Sequence, residues 1–310
     1  MNSIDISIII PTKDRDDVFK RTLATVLEST ECISAEVIVI NDSDRPIFGF
    51  DDYLNLKIYR NPKSGAASAR NFGAAQAKGK VLLFVDNDVL VSAANLNQIL
   101  FFHKKYESSC FNFFWFYPPD LIEKLPNYSF GRFLLNNLIF SNSSRIGKGN
   151  IKQMEGLVSV DGLASYFLSI NKADFEMIGG YEEKIPKAGV EDMILAKQMR
   201  KYGLKMYMSM ADVVFHNEAD RLELVNTMGI YKSHALTRRV AVDMGHEDVK
   251  MEMKPTKLAL YKFLLPLKAV FVSILRILPN HLAFDFIYFR VVNILLSLSS
   301  IEGYYFSSNK

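Results

Sequence analysis

The chain lacks the marks of several common protein classes. It holds only two cysteines, Cys32 and Cys110. Two thiols so far apart form neither a disulfide framework nor a metal cluster, and a reducing compartment, the cytoplasm, is the simplest expectation. No Gly-x-Gly-x-x-Gly follows any apolar run. That absence counts against a dinucleotide-dependent oxidoreductase on a Rossmann sheet. The net charge is only +3, so no nucleic-acid partner is expected from it. The segment Met1 to Asp5 is polar and leads straight into an apolar run, so no signal peptide is expected. The Asn-x-Ser triplets at Asn41, Asn127 and Asn142 then count as chance matches. No internal repeat and no low-complexity tract is evident.

What is present suits an ordinary globular protein: 310 residues, 49% hydrophobic and 23% charged. The charge is unevenly spread. From Lys250 to Lys310 there are eight basic residues and three acids, +5 against −2 for the remainder. This basic tail is also apolar from Leu258 to Ile301. Charges at Lys262, Lys268, Arg276, Asp285 and Arg290 interrupt it, and Pro266 and Pro279 are expected to break it. Its longest uncharged stretch, Val291 to Ile301, falls short of the roughly 20 residues of a spanning helix. A pair of interfacial amphipathic helices fits, with basic side chains reaching lipid headgroups. The alternatives are a helical cap on the catalytic domain or the interface of a homo-oligomer.

Upstream, strand-like and helix-like segments alternate. Ile6 to Ile10, Val37 to Ile40, Leu56 to Tyr59, the run from Val81, Tyr166 to Ile170 and Val213 to Phe215 read as strands. Val18 to Leu27, Ala66 to Ala77, Leu96 to Tyr106, Asp174 to Ile178 and Asp192 to Tyr202 read as helices, two of them stopped by Gly79 and Gly203. The alternation predicts an α/β fold with a mostly parallel sheet. Phe111 to Tyr117, with the single tryptophan Trp115, is an aromatic cluster. Core packing is the favoured reading, and stacking on a bound ligand the other.

Polar residues gather where these strands end. Val81–Val85 runs directly into Asp86-Asn87-Asp88. Ligands in open α/β sheets collect at the carboxyl ends of strands, and paired carboxylates there suit a hard divalent cation, its water or a polyol. A solvated turn would use the same residues. Pro11 and Thr12, followed by Asp14, close the first strand, and Asn41-Asp42-Ser43 the second. Gly65 to Ala75 opens a helix with small residues and places Arg70 and Asn71 one turn in. A helix start attracts phosphate, and a guanidinium matches its oxygens. Glu191-Asp192 begins a helix after Pro186 and Gly189, as helix-capping acids or as a general base. His216 ends a strand, either as a structural side chain or as a metal ligand.

In this order, over roughly residues 4 to 220, the chain resembles the family-two glycosyltransferases. Ile8–Thr12, Val37–Ser43, Gly65–Gly73, Asp86-Asn87-Asp88, Gly179-Gly180-Tyr181 and Glu191-Asp192 carry the resemblance. It implies a GT-A fold, a Rossmann-like mixed, mostly parallel sheet flanked by helices. Residues 1–220 would be the catalytic domain and 221–310 a helical extension. It implies inverting transfer from a nucleotide diphosphate sugar, a UDP-sugar being the family's commonest donor, to a glycan or lipid-linked acceptor. Pro11, Thr12, Asp14, Asp42, Arg70, Asn71, Asp86 and Asn87 would hold the donor. Asp88 and His216 would ligate Mn²⁺ or Mg²⁺, and Asp192, beside Glu191, would be the base. The Gln-x-x-Arg-Trp signature of processive synthases is absent after Glu191-Asp192, so a single-addition or short-chain transferase of the cytoplasmic membrane face is expected. A non-catalytic nucleotide-sugar or glycan binder on the same fold is the alternative.

Overall fold

Val81–Val85 carries apolar side chains at every position and Ile6–Ile10 at all but Ser7, the pattern of strands buried on both faces. The computed structural model, which describes residues 4–50, 52–137, 139, 153–154, 156–185, 189–219 and 222–307, places them centrally in one sheet. Its strands are β1 (Ile6–Thr12), β2 (Ala35–Asn41), β3 (Leu56–Arg60), β4 (Val81–Val85), β5 (Val89–Leu90), β6 (Ser109–Phe116), β7 (Gln153–Met154), β8 (Leu157–Ser159), β9 (Phe167–Asn171) and β10 (Lys205–His216). The order is β3-β2-β1-β4-β9-β6-β10-β8-β7, with β5 paired to β10. Strands β3, β2, β1, β4, β6, β10 and β7 run one way and β9, β8 and β5 the other, a mixed and mostly parallel sheet.

The alternate faces of these strands bury two cores. Ile8, Ile10, Val39 and Leu83 meet Phe19, Leu23 and Val26 of the helix Asp16–Ser29, and Leu96, Ile99 and Phe102 of Ala93–Lys105. Ile9, Ile38, Leu82 and Phe84 meet the helices Ala66–Gln76, Lys172–Met177 and Glu191–Lys201. Helices on both faces are what sheet strands of this composition require. The aromatic cluster of 111–117 is strand β6. Phe111 and Phe113 enter one core and Phe114 the other, as the two-residue period of a strand dictates. The strand foreseen at Val213 begins earlier, at Lys205, and survives a register shift between Ser209 and Val213.

The chain divides into two compact units, Met1–Pro118 with Ser141–Pro186 and Glu191–Glu218, and Pro119–Phe140 with Lys187–Val190 and Ala219–Lys310. The sheet and all the residues considered as site residues lie in the first unit. Pro186, expected before the catalytic acids, lies outside the described residues. The second unit is helical. Its helices Leu224–Asp243 and Asp285–Ile301 pack together, and Arg132 grips Asp285 with two nitrogens, at 2.7 and 2.8 Å. Pro266 does not break the tail. Helix Pro255–Leu264 passes through a 3-10 turn, Leu265–Leu267, into helix Lys268–Ile277. Proline sits in the first turn of that segment, where no intrahelical N–H is needed. Pro279 does end the run, after an extended Leu278. Two described segments, Pro255–Ile277 and Leu282–Phe306, are therefore long and apolar enough to cross a membrane by length and composition. The first is almost unburied: Phe263 is 74% and Ile277 80% exposed.

Gly79, foreseen only as a helix stop, fits β4 against β1. A Cβ there would lie 2.6 Å from the Ser7 backbone nitrogen, and the Gly79 N–H donates to Ser7 Oγ at 2.8 Å. Ser7 in turn donates to the buried Glu36 at 2.8 Å. Gly79→Ala is expected to cost about 1–3 kcal/mol by overpacking, read as a lower urea midpoint with unchanged slope.

Candidate active site

Strands β1, β2, β4 and β10 deliver Thr12, Asn41, Asp86 and His216 at the same edge of the sheet, because all four run in one direction. A further pairing sets the detail. The two-residue β5 lies antiparallel to the end of β10, with Val89 opposite His216, and the Asn217 N–H donates to the Asp88 carbonyl at 2.6 Å. This ladder brings together side chains 128 positions apart. His216 Nε2 stands 2.8 Å from Asp88 Oδ1. Glu218 joins them, and one ligand atom from each of the three lies within 4.8 Å of the others. Glu218 was not anticipated, although its place two residues after His216 puts it on the same strand end.

The surroundings of this cluster are polar on one side and aromatic on the other. Arg15 Nη1 donates to Asp88 Oδ2 at 2.5 Å and to Asn87 Oδ1 at 3.0 Å. The Asn87 amide donates to Thr12 Oγ1 at 3.0 Å. Trp115 meets the His216 ring edge-on at 5.1 Å, and Tyr166 stacks on it at 6.0 Å. Burial disfavours a charged His216 ring, but the Asp88 carboxylate outweighs it, and the ring's pKa is raised to about 9. Once the His216 ring gives up its proton, two carboxylates and an imidazole form a donor set suited to Mn²⁺, and tolerable to Mg²⁺ with water completing the shell. His216 Nδ1 is buried and makes no hydrogen bond.

A second group of polar residues is joined to the first by Arg70. Its Nη2 pairs with Asp86 at 2.7 Å and its Nη1 with Glu191 at 3.2 Å. Its plane lies 5.2 Å from the Tyr181 ring centre. Arg70, expected at the donor's phosphates, is thus buried between carboxylates. Asp192 follows Glu191 in the first helical turn, where the dipole favours acids. It accepts a short hydrogen bond from Ser165 Oγ, which is also 2.7 Å from the Tyr181 hydroxyl. Burial and the adjacent Glu191 raise the Asp192 pKa to about 7, with Arg70 and Ser165 opposing them. No local pattern marks Ser165, which enters the site from the segment before β9.

The remaining anticipated residues separate. Asp42 lies at the end of β2 and accepts from Lys13 at 3.1 Å, Asn61 at 2.8 Å, Ser64 at 3.0 Å and Gly65 N–H at 3.3 Å. Burial works against its charge, but these donors prevail and hold its pKa below the usual carboxylate value. Pro11 and Thr12 sit beside it at the end of β1. Asp14 adopts φ 49° and pairs with Arg45 at 3.3 Å on the exposed side. Asn71 is turned to the loop after Gly180: its amide donates to Tyr181 O and Glu183, and its oxygen accepts from Tyr181 N–H at 2.9 Å. An open cavity of about 550 Å³, lined by Asn41, Ser43, Arg45, Tyr59 and Arg60 among others, lies at the β2–β3 end and includes none of Asp88, His216 or Asp192 in its wall. The polar clusters around Asp88 and Asp192 thus lie outside the lining of this cavity.

Comparison with known proteins shows what the chain is similar to. Residues 7–156 match the family model described as Glycosyl transferase family 2. The mannosyltransferase PcManGT from Pyrobaculum calidifontis, in complex with GDP-Man and Mn²⁺, superposes with a TM-score of 0.57 at 11% identity, over 98% of this chain and 88% of that one. The fold is GT-A. GalNAc-T7 with UDP, GalNAc and Mn²⁺ shares it, with a TM-score of 0.52 at 17% identity over 68% of this chain and 43% of that one. Validoxylamine A glucosyltransferase of Streptomyces hygroscopicus subsp. limoneus is 25% identical over 229 residues, 66% of this chain and 49% of that protein. The chain spans about half the length of the first curated relatives it matches. These matches support a glycosyltransferase.

Within this GT-A frame Arg70 is the buried counter-charge for two acids. Arg70→Met is expected to destabilise the protein by about 3–5 kcal/mol at neutral pH, since it strands the buried Glu191 together with the partly exposed Asp86. Arg70 also lowers the Asp192 pKa, so without it Asp192 takes up protons more readily, the folded variant binds more protons than before and the deficit shrinks as pH falls. Urea unfolding of both proteins across a pH series measures this.

Proposed function

We propose that this protein transfers a sugar from a nucleotide diphosphate sugar, a UDP-sugar as first choice, to a hydroxyl of a glycan or lipid-linked acceptor, with inversion. The observation that carries this reading is the Asp88–His216–Glu218 cluster, tied through Asp86 and Arg70 to the Glu191–Asp192 turn. Residues 1–220 form the catalytic part in this reading and 221–310 the extension. Asp42 and the ends of β1 and β2 would receive the base, with Pro11 and Thr12 shaping that pocket. Asp86 and Asn87 would face the ribose and phosphates.

Asp88, His216 and Glu218 would hold a divalent cation, Mn²⁺ or Mg²⁺. Bound there, it would neutralise the charge of the departing diphosphate. Asp192 would take the proton from the acceptor hydroxyl as that oxygen bonds to the anomeric carbon. The bond from that carbon to the diphosphate oxygen breaks on the opposite face, and the phosphate keeps the electron pair. One displacement of this kind inverts the anomeric centre, by the geometry that governs inverting hydrolases. Ser165 and Tyr181 would fix the direction in which Asp192 presents its free oxygen. The base must be ionised to act. With its pKa near 7, turnover is expected to fall as pH drops through that value. Asp192→Asn is expected to lose about 10²–10⁴-fold in kcat and to bind UDP with Mn²⁺ as the wild type does, by calorimetry.

The second unit would place this chemistry at the cytoplasmic membrane surface. Helices Pro255–Leu264 and Lys268–Ile277 expose Leu260, Phe263, Val270 and Ile277, with Lys254, Lys257, Lys262 and Arg276 along the same stretch. Apolar side chains that enter the acyl boundary beside cations that meet anionic headgroups make a surface-lying pair. The double variant Phe263→Glu/Ile277→Glu is expected to bind vesicles containing anionic lipid at least about tenfold more weakly in sedimentation. Wild-type protein that never sediments with such vesicles would remove this reading.

A further inference from the structure

Arg15 takes no part in the reaction derived above, yet it holds the best-placed atom of the site. It stands immediately before the helix Asp16–Ser29, after Asp14 has turned the chain with φ 49°. Its side chain is 13% exposed and that of Asp88 only 2%. Both Asp88 oxygens are engaged, Oδ1 by His216 Nε2 at 2.8 Å and Oδ2 by Arg15 Nη1 at 2.5 Å. A carboxylate so deep needs a positive partner. A guanidinium provides one, always charged, and the same Nη1 also donates to Asn87 Oδ1.

That partner competes with a metal. A divalent ion on Asp88 would face a guanidinium on the same carboxylate, and the low dielectric of the site makes like charges repel strongly. A nucleotide donor resolves the conflict, because its diphosphate offers oxygens that match a guanidinium fork. We propose that Arg15 is a stand-in for the cation: it neutralises Asp88 in the empty site and passes to the donor's diphosphate when metal and nucleotide enter together. This rests on the reading of Asp88, His216 and Glu218 as a metal site. It makes the binding of cation and nucleotide interdependent, by the same factor in either order. A purely structural Arg15, one that orients Asp88 for the metal, would have the opposite effect when removed.

Calorimetry of the full chain with Mn²⁺ alone, UDP alone and both together separates these cases. The wild type is expected to bind Mn²⁺ alone weakly and about tenfold or more tightly with UDP present. R15Q is expected to bind Mn²⁺ alone about tenfold more tightly than the wild type, with most of the UDP effect gone. R15K, which keeps the charge without the fork, should bind Mn²⁺ alone as weakly as the wild type and lose part of the UDP effect. Its result stands if R15Q fails to fold. R15Q binding Mn²⁺ alone no more tightly than wild type, or R15K keeping the full UDP effect, would overturn the proposal. D88N is the control: Mn²⁺ binding with UDP that survives D88N removes the metal reading and this proposal with it. Binding that D88N abolishes but R15Q leaves unchanged removes only the role of Arg15.

Discussion

A carboxylate withdrawn from water must be met by positive charge, and the architecture of this site follows from meeting that demand at Asp88. The demand is satisfied from two directions in the chain, His216 on β10 and Arg15 ahead of the first helix. The short ladder between β5 and β10 is what makes the meeting possible. Without it, the residues after β4 would form an ordinary solvated turn. With it, the Asp-Asn-Asp segment is locked along a strand end, and its second acid points at an imidazole.

Arg70 extends the same logic across the site. A single buried guanidinium touches Asp86 on one side and Glu191 on the other, so the metal-side and base-side acids share one counter-charge. Asp192 is the acid with no direct Arg70 ion pair. Burial and Glu191 raise its proton affinity, while Ser165 holds one of its oxygens. This environment makes Asp192 a group able to exchange a proton near neutral pH.

Much of the fold was legible in the sequence. The apolar runs at 6–10, 37–40 and 81–85 could only be strands buried on both faces, and the acids, threonine and asparagine that end them had to emerge at the carboxyl edge. β6 was less legible, because an aromatic run broken only at Asn112 carries little alternation to show that it feeds two cores. β10 was read short, since Lys205, Ser209 and Asp212 interrupt its stretch before Val213, and its register shift masks the strand period. Pro266 misled in the other direction: a proline signals a break, but a proline in the first turn of a 3-10 segment leaves the helix path intact.

What the sequence determined by itself was the set of polar groups and the edge at which they surface, because burial of apolar strands leaves no other exit for charged residues. What only the tertiary structure decided was which of those groups touch. Arg70 was expected to reach toward a phosphate and is enclosed by acids; Asn71 clasps the loop after Gly180; Arg15, Ser165 and Glu218 enter the site unannounced. The physical reason is range. Hydrophobic period and turn chemistry act over a few residues, whereas ion pairs in a buried site join positions 73, 121 and 128 residues apart, and only the packed sheet sets those distances.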